Sequence, residues 1–138
     1  MKRREPVSHI MTKNVHTVSH TDSLRDVANV FKDSNIHHLP VKRGNEIVGI
    51  ISSSDLNRLA FGKLYDHQEG ADNAVLDSLN IDQVMTHNPL TVNVEDSIKE
   101  VAEVFTNANF HAMPVLENNN LVGIVTTKDL LKYMLDQY

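Results

Sequence analysis

Hydrophobic and polar positions along the chain alternate between a helical period and a strand period. The clearest helical stretch has apolar residues at i, i+3, i+4 and i+7: Leu24, Val27, Ala28 and Phe31. This spacing places them on one face of an amphipathic helix. Ser23 and Asp26 stand three residues apart, as in a capping box, so the helix is predicted to begin there.

Two short apolar runs follow this helix and predict a pair of strands. They cover residues 36–41 and 46–51 and flank a polar turn at 42–45. A second helix is predicted to begin near Ser53, and a short extended piece ends at Val18 before the first helix. The order of elements is therefore β-α-β-β-α.

The whole pattern occurs twice, at an offset of 74 residues and without a gap. Aligning residues 7–64 with 81–138 gives 21 identical pairs in 58 positions. Two copies are too few for a solenoid, which needs at least three repeats. We therefore predict an α/β (α+β) fold of two βαββα domains, 7–64 and 81–138, with a linker at 65–80. A pair that shares one interface between its exposed sheet faces is the simplest arrangement.

Further expectations concern the linker and the second copy. Residues 69–73 are predicted to form a loop, and 74–79 a short helix. Ser97 with Glu100 predicts another capping box. The last helix, from Thr127, is predicted to have an apolar face of four residues: Leu131, Met134, Leu135 and Tyr138. With Leu130 and Tyr133 it carries more apolar surface than one core contact needs, which predicts a homodimer.

Composition narrows the class of protein. The 13 Lys and Arg residues face 18 Asp and Glu, net −5, which disfavours a basic nucleic-acid binder. The chain has no Cys, which excludes disulfides and thiolate metal sites. Its longest apolar runs, at 47–51 and 121–125, are far shorter than the roughly 20 residues that cross a bilayer. The first residues lack the apolar region of a signal peptide, so a soluble cytoplasmic protein is expected.

A hydroxyl and a carboxylate stand three residues apart after the last strand of each copy. The pairs are Ser52 with Asp55 and Thr126 with Asp129. One interpretation is a capping box at the start of a helix. The other is a ligand site, because helix-start N–H groups attract anions and a carboxylate can accept bonds from two ribose hydroxyls. Both can hold for the same residue.

His37 and His111 occupy equivalent positions just before the repeated Pro-Val. They are either inert, hydrogen-bonded strand residues or a pair of imidazoles that contact phosphate. A metal site on His37, His38 and His111 is the weaker alternative, because no neighbouring carboxylate or Cys supports it. No motif pairs a nucleophile with an oriented base, so neither an enzyme nor a catalytic residue is predicted.

Taken together, these residues resemble the cystathionine-β-synthase (CBS) domain family. The family's hallmarks stand here as Met11-Thr12, then His37-His-Leu-Pro40-Val41, then Gly49 to Asp55, and again from Met85 to Asp129. The resemblance implies two βαββα domains packed sheet to sheet, with two related clefts that hold adenosine-containing ligands. It also implies that such pairs associate into a flat, disc-like dimer.

The resemblance further implies which residues line each cleft. One cleft would use Ile124, Thr126 and Asp129, with Thr12, His16 and Ile36 on the adenine side. The other would use Ile50, Ser52 and Asp55, with Thr86, Leu90 and Phe110 on the adenine side. His37 and His111 match a position that reaches phosphates in some members. Where some relatives carry Arg after that His, this chain has His38 and Ala112, which argues against tight polyphosphate binding. Lys128 could replace that cation in one cleft only, because its counterpart is Ser54.

The function expected from the resemblance is a stand-alone regulatory module that senses an adenine nucleotide or S-adenosylmethionine. It requires no cofactor and no metal, and a separate protein would respond to the ligand. The alternative is a structural dimerisation module whose clefts hold no physiological nucleotide. Single-stranded nucleic-acid binding is the weakest option, because three Tyr, four Phe and no Trp offer few stacking platforms.

Overall fold

The computed structural model describes residues 4–61 and 69–138. The chain divides into two compact units, Met1–Val15 with Leu90–Tyr138, and His16–Pro89. These units do not coincide with the two sequence repeats. The described residues up to Val15 fold with the second repeat, and residues 81–89 fold with the first, so the two repeats exchange their lead-in segments.

The unit His16–Pro89 is a four-stranded sheet with its helices. Its elements are β1 (Val18–Ser19), α1 (Leu24–Asp33), β2 (His38–Arg43), β3 (Glu46–Ser52), α2 (Ser53–Phe61), α3 (Glu69–Ser78), α4 (Ile81–Val84) and β4 (Thr86–His87). The strand order is β1-β2-β3-β4, in which β1 runs parallel to β2 and the other pairs are antiparallel.

The other unit repeats this plan with a three-stranded sheet. It consists of a 3₁₀ turn (Val7–His9), β5 (Val92–Asn93), α5 (Ile98–Thr106), β6 (Ala112–Glu117), β7 (Asn120–Thr126) and α6 (Thr127–Asp136). The order is β5-β6-β7, with β5 parallel to β6 and β6 antiparallel to β7. The mixed α/β fold predicted from the sequence is confirmed.

Local sequence explains where the first helices begin. Ser23 Oγ accepts a bond from the Asp26 N–H at 3.1 Å, and the Asp26 carboxylate accepts one from the Ser23 N–H at 3.2 Å. At Ser97 the hydroxyl accepts from the Glu100 N–H at 3.1 Å. In the described chain the return bond from the Ser97 N–H to the Glu100 side chain is not formed, and Ser97 lies opposite Pro6 in an antiparallel bridge.

Both hairpins turn through two-residue loops that require left-handed backbone. Gly44 has φ of +61°, and Asn118 and Asn119 have φ of +51° and +66°. Asn118 and Asn119 thus have the geometry of a type I′ turn, which Asn tolerates better than most residues, whereas in the first hairpin only Gly44 has positive φ, as at the first central position of a type II′ turn. The two strand pairs are as predicted, although β2 begins at His38, two residues later than expected.

Each unit has its own hydrophobic core. The largest fully buried side chains of the unit His16–Pro89 are Leu24, Leu39, Ile51 and Ile81. Those of the other unit include Met113, Val101, Val115 and Val125. Among the described residues, no helix is long and apolar enough to cross a membrane.

The predicted loop at 69–73 is wrong, because these residues open helix α3. Gly70 lies in the first turn, where the backbone N–H groups lack intrahelical partners anyway, so it weakens the helix little. Tertiary contacts then support the helix. α3 packs against α1 and α2, and Arg25 forms two bonds to Asp77, of 2.8 and 2.9 Å.

The apolar face predicted for the last helix is not the face that packs against the core. α6 buries Leu130 and Tyr133, whereas the predicted face is exposed, for example 61% at Leu131 and 72% at Leu135. Two apolar stripes overlap on this helix, and the one with more apolar residues is the stronger signal in sequence. Tyr133 can be buried because its hydroxyl donates to Glu5 Oε1 at 3.0 Å.

Candidate functional site

The lead-in threonine lies beside the strand that ends at the repeated hydroxyl. In one unit, the Thr12 N–H donates to the Ile124 carbonyl at 2.8 Å, and the Ile124 N–H donates to the Thr12 carbonyl at 3.0 Å. In the other unit, Thr86 pairs with Ile50 in the antiparallel ladder. Both threonines are exposed and both isoleucines are buried. The structure thus brings together Thr12 with Ile124, and Thr86 with Ile50.

The repeated glycines permit this approach, which sequence reasoning missed. A Cβ atom on Gly123 would lie 2.5 Å from Met11 Sδ and 2.9 Å from the Thr12 carbonyl oxygen. A Cβ atom on Gly49 would clash with the Met85 side chain. The sequence did contain a signal, because the Met-Thr pair and this glycine recur together in both repeats. In the structure, each glycine contacts the methionine of the other repeat.

The hydroxyl and the carboxylate form the predicted capping box in both units. The Asp129 N–H donates to Thr126 Oγ1 at 3.2 Å, and the Thr126 N–H donates to Asp129 Oδ2 at 2.9 Å. In the other unit, the Asp55 N–H donates to Ser52 Oγ at 3.1 Å, and the Ser52 N–H donates to Asp55 Oδ2 at 2.8 Å. The cap therefore uses one carboxylate oxygen and leaves the second available for another interaction.

The second carboxylate oxygen differs between the two units. Asp55 Oδ1 accepts a bond from Arg58 Nη2, and this ion pair joins a buried aspartate to a largely exposed arginine. Within residues 4–61 and 69–138, Asp129 Oδ1 receives no hydrogen bond and Asp129 has no ion pair, although Lys132 occupies the position equivalent to Arg58. The i, i+3 spacing could have indicated the pair, but sequence reasoning did not single out Arg58.

His37 and His111 flank the first turns of the helices that carry these carboxylates. The Ser53 N–H donates to the His37 carbonyl at 2.9 Å, and the Thr127 N–H donates to the His111 carbonyl at 3.0 Å. Ser53 Oγ also lies 3.4 Å from His37 Nδ1. Both histidines are exposed and directly precede β2 and β6, so the interpretation that they are half-buried strand residues is wrong. The His37 ring therefore lies beside the first residue of α2, and the backbone of His111 lies beside the first residue of α6.

The predicted adenine-side residues take varied positions within their own units. His16 and Leu90 are exposed, and Ile36 packs partly against the core of the unit His16–Pro89. Phe110 lies edge-on to Phe105, with ring centroids 6.2 Å apart. Each of these four residues belongs to the unit opposite the carboxylate it was assigned to, so that grouping stays a prediction.

The geometry supports binding of a neutral or anionic polar ligand at each helix start. Thr126 and Ser52 accept from the backbone through their oxygen and can still donate their hydroxyl hydrogen. Lys128 is exposed in the first turn of α6, where Ser54 stands in α2. Among the described residues, no three His, Asp or Glu side chains lie close enough together to hold a metal ion.

Sequence comparison matches the CBS domain model to residues 7–62 and 81–136. Protein MJ1225 of Methanocaldococcus jannaschii is 28% identical over 131 residues, covering 94% of this chain and 47% of MJ1225. A homoserine O-acetyltransferase of Methanococcus vannielii is 28% identical over 126 residues, covering 90% of this chain and 24% of the enzyme. The chain thus spans about half the length of MJ1225 and about a quarter of the acetyltransferase.

Comparison with solved structures also finds proteins with CBS domains. The crystal structure of MJ1225, which has been proposed to be an archaeal homologue of g-AMPK, superposes with a TM-score of 0.80, covering 97% of this chain and 49% of MJ1225. The CBS domain pair of protein MJ0100, in complex with 5′-methylthioadenosine and S-adenosyl-L-methionine, has a TM-score of 0.79 at 25% identity. This match covers 96% of the chain and 98% of that structure. The chain therefore belongs to the CBS domain family, as a tandem pair of CBS domains.

Proposed function

We propose that this CBS domain pair is a regulatory module that binds an adenosine-containing ligand. The observation that carries the proposal is the capping box of Thr126 and Asp129, because its second carboxylate oxygen accepts no hydrogen bond from the described residues. A carboxylate held in this way can accept bonds from the two vicinal hydroxyls of a ribose. Ser52 and Asp55 form the equivalent site in the other unit.

The MJ0100 complex supports the choice of ligand class. Its two ligands share an adenine and a ribose and contain no phosphate. A site that recognises the ribose through a carboxylate suits this shared part. The backbone pairs of Thr12 with Ile124, and of Thr86 with Ile50, border the sites where we expect the adenine to lie. His37 and His111 would then contact a phosphate only when the ligand carries one.

Regulation requires that the ligand distinguish two states of the protein. A ligand shifts a conformational equilibrium only by as much as its affinities for the two states differ. We propose that binding changes the arrangement of the two domains or of two copies, and that a separate protein responds. Catalysis is not part of the proposal, because the match to the acetyltransferase covers only 24% of that enzyme.

Isothermal titration calorimetry with AMP, ATP, S-adenosylmethionine and 5′-methylthioadenosine tests the proposal. We expect at least one of these ligands to bind with micromolar or tighter affinity, and guanosine to bind much more weakly. If none of the four binds while the protein is folded by circular dichroism, the proposal is wrong. The alternative, an interaction module without a nucleotide, would then be preferred.

The exposed face of α6 favours association between copies, which both functions allow. Leu131, Met134 and Leu135 form an apolar stripe that the described chain leaves exposed. We propose that the protein is a homodimer in solution and that this stripe contributes to the interface. Light scattering should give a dimer mass, and Leu131→Lys should shift it toward the monomer. Asn57→Lys, at the exposed equivalent position of α2, is the matched control; a monomeric wild-type protein would contradict the proposal.

A further inference from the structure

The two proposed ribose sites differ in what occupies the outer oxygen of the carboxylate. Arg58 stands three residues after Asp55, and Lys132 stands three residues after Asp129, so the two cations occupy equivalent positions in the repeats. Arg58 pairs with Asp55, whereas Lys132 forms no ion pair with Asp129 in the described chain. The guanidinium is planar and carries several donors, which makes it the better partner for a carboxylate.

This pair leaves Asp55 little capacity for a further ligand. Oδ2 accepts the Ser52 N–H, Oδ1 accepts Arg58, and only 8% of the residue is exposed. A ribose must therefore displace or share the guanidinium before its hydroxyls can bond to the same oxygen. The Arg58 side chain is 74% exposed, so it can move away into solvent.

We infer that Arg58 determines the difference in affinity between the two sites, because it competes with ribose for Asp55. The inference rests on the proposed function and specifies which site fills first. An uncharged nucleoside binds the Asp129 site first and the Asp55 site at higher concentration. An ion pair whose arginine is exposed to solvent is worth about 0.2–1 kcal/mol, so its removal should tighten the Asp55 site up to about fivefold.

Calorimetric titration of adenosine tests this inference, because adenosine carries ribose but no phosphate that could attract Arg58. The Asp129→Asn variant weakens the stronger site, so the remaining binding reports the Asp55 site. On this background, Arg58→Ala should tighten adenosine binding about two- to fivefold. Lys132→Ala is the matched control and should leave the affinity unchanged, since no ion pair is lost.

Ionic strength provides a second, mutation-free readout. Salt screens an exposed ion pair, so raising the salt concentration should narrow the difference between the two sites in the wild-type protein. It should have little effect in Arg58→Ala.

The outcomes separate this inference from the proposed function. If adenosine binds but Arg58→Ala leaves the Asp55 site unchanged or weaker, the inference fails and the proposed function stands. If no adenosine-containing ligand binds the wild-type protein, the proposed function fails first. A thermal melt of each variant shows whether the fold is retained, which we expect because Arg58 is on the surface.

Discussion

Helices α2 and α6 begin with the same cap, but the second oxygen of the capping carboxylate is bonded to an arginine at α2 and not at α6 in the described chain. In both, a hydroxyl and a carboxylate three residues apart bond to each other's backbone N–H. The fold needs this cap in both units, since an uncapped helix start costs about 1 kcal/mol. The cap does not use the other carboxylate oxygen, Oδ1, which accepts a bond from Arg58 in the unit of Asp55. The comparison separates the part of the site that folding requires from the part that can serve a ligand.

The two units also differ in how their second helices are covered. α2 packs against α3, which belongs to the segment between the repeats. In the described chain, the outward side chains of α6, such as Leu135, are exposed. Duplication has therefore produced two similar helices with different surroundings, so one of them is available for association.

The largest expected effect is on the free energy of unfolding, which Gly123→Ala should lower more than Gly49→Ala. Gly123→Ala places a Cβ atom 2.9 Å from the Thr12 carbonyl oxygen, so the backbone itself must shift. For Gly49→Ala the three nearest atoms all belong to the flexible side chain of Met85, which can rotate away. We expect Gly123→Ala to lower the free energy of unfolding by about 2–3 kcal/mol and Gly49→Ala by about 1 kcal/mol. Urea denaturation measures both.

Gly44→Ala is the control variant, because it measures the cost of replacing a glycine that has no close neighbour. It meets nothing within 4 Å but has φ of +61°, so it tests left-handed backbone and not close approach. Equal losses at Gly123 and Gly49 would contradict the proposed difference between the two lead-in contacts.

Substituting the two aspartates should weaken ligand binding unequally. An asparagine keeps a side-chain oxygen that can accept the cap bond, but it loses the charge that strengthens bonds from ribose. Asp129→Asn should therefore cost about 1.5–3 kcal/mol of binding, or roughly tenfold or more in affinity. Asp55→Asn should cost less, because Arg58 already engages that carboxylate.

Calorimetry and thermal melting should be run on the same samples of both variants. Melting temperatures close to the wild-type value are expected, because the cap is largely retained. If both variants bind normally and melt early, the carboxylates serve only as helix caps.

The smallest expected effect concerns alkaline pH and the unit that contains Tyr133. Burial raises the pKa of Tyr133, and the hydrogen bond to Glu5 and its negative charge raise it further. The folded state therefore favours the neutral phenol, so its contribution to stability is full below about pH 10 and is lost as pH rises further. Tyr133→Phe should lose less stability than the wild-type protein between about pH 9 and pH 11.

Leu59→Met provides a comparison in the other unit, because Leu59 is equivalent to Tyr133 and has no titratable group. It should leave the alkaline loss unchanged. An identical alkaline loss in Tyr133→Phe and in the wild-type protein would show that Tyr133 does not contribute.

The sequence predicted the parts of the fold that depend on local periodicity and on repetition. The helix containing Leu24 and Val27, the strand pairs and the caps at Ser52 and Thr126 all follow from spacing within a few residues. The repetition at 74 residues indicated that both units share one plan. These features are local, so tertiary packing did not change them.

The parts that failed depend on contacts between distant residues. Helix α3 is stabilised by packing against α1 and by the Arg25–Asp77 pair, 52 positions apart. The burial of Tyr133 depends on Glu5, 128 positions away. The exchange of lead-in segments, seen at Gly123 with Met11, likewise leaves no local pattern. For the site, the sequence identified the cap residues, but it did not show that Arg58 bonds to the second carboxylate oxygen of Asp55.

The proposed bond between Asp129 and the ribose is tested most directly by a double-mutant cycle. One change removes the ribose hydroxyls of the ligand, and the other removes the carboxylates of the protein. Adenosine and 2′,3′-dideoxyadenosine are titrated by calorimetry into Arg58→Ala protein and into the same protein carrying Asp129→Asn and Asp55→Asn. We predict that removing the two ribose hydroxyls weakens binding at least tenfold when the aspartates are present and has little effect when they are absent. An equal loss in both proteins would contradict a bond between these carboxylates and the ribose.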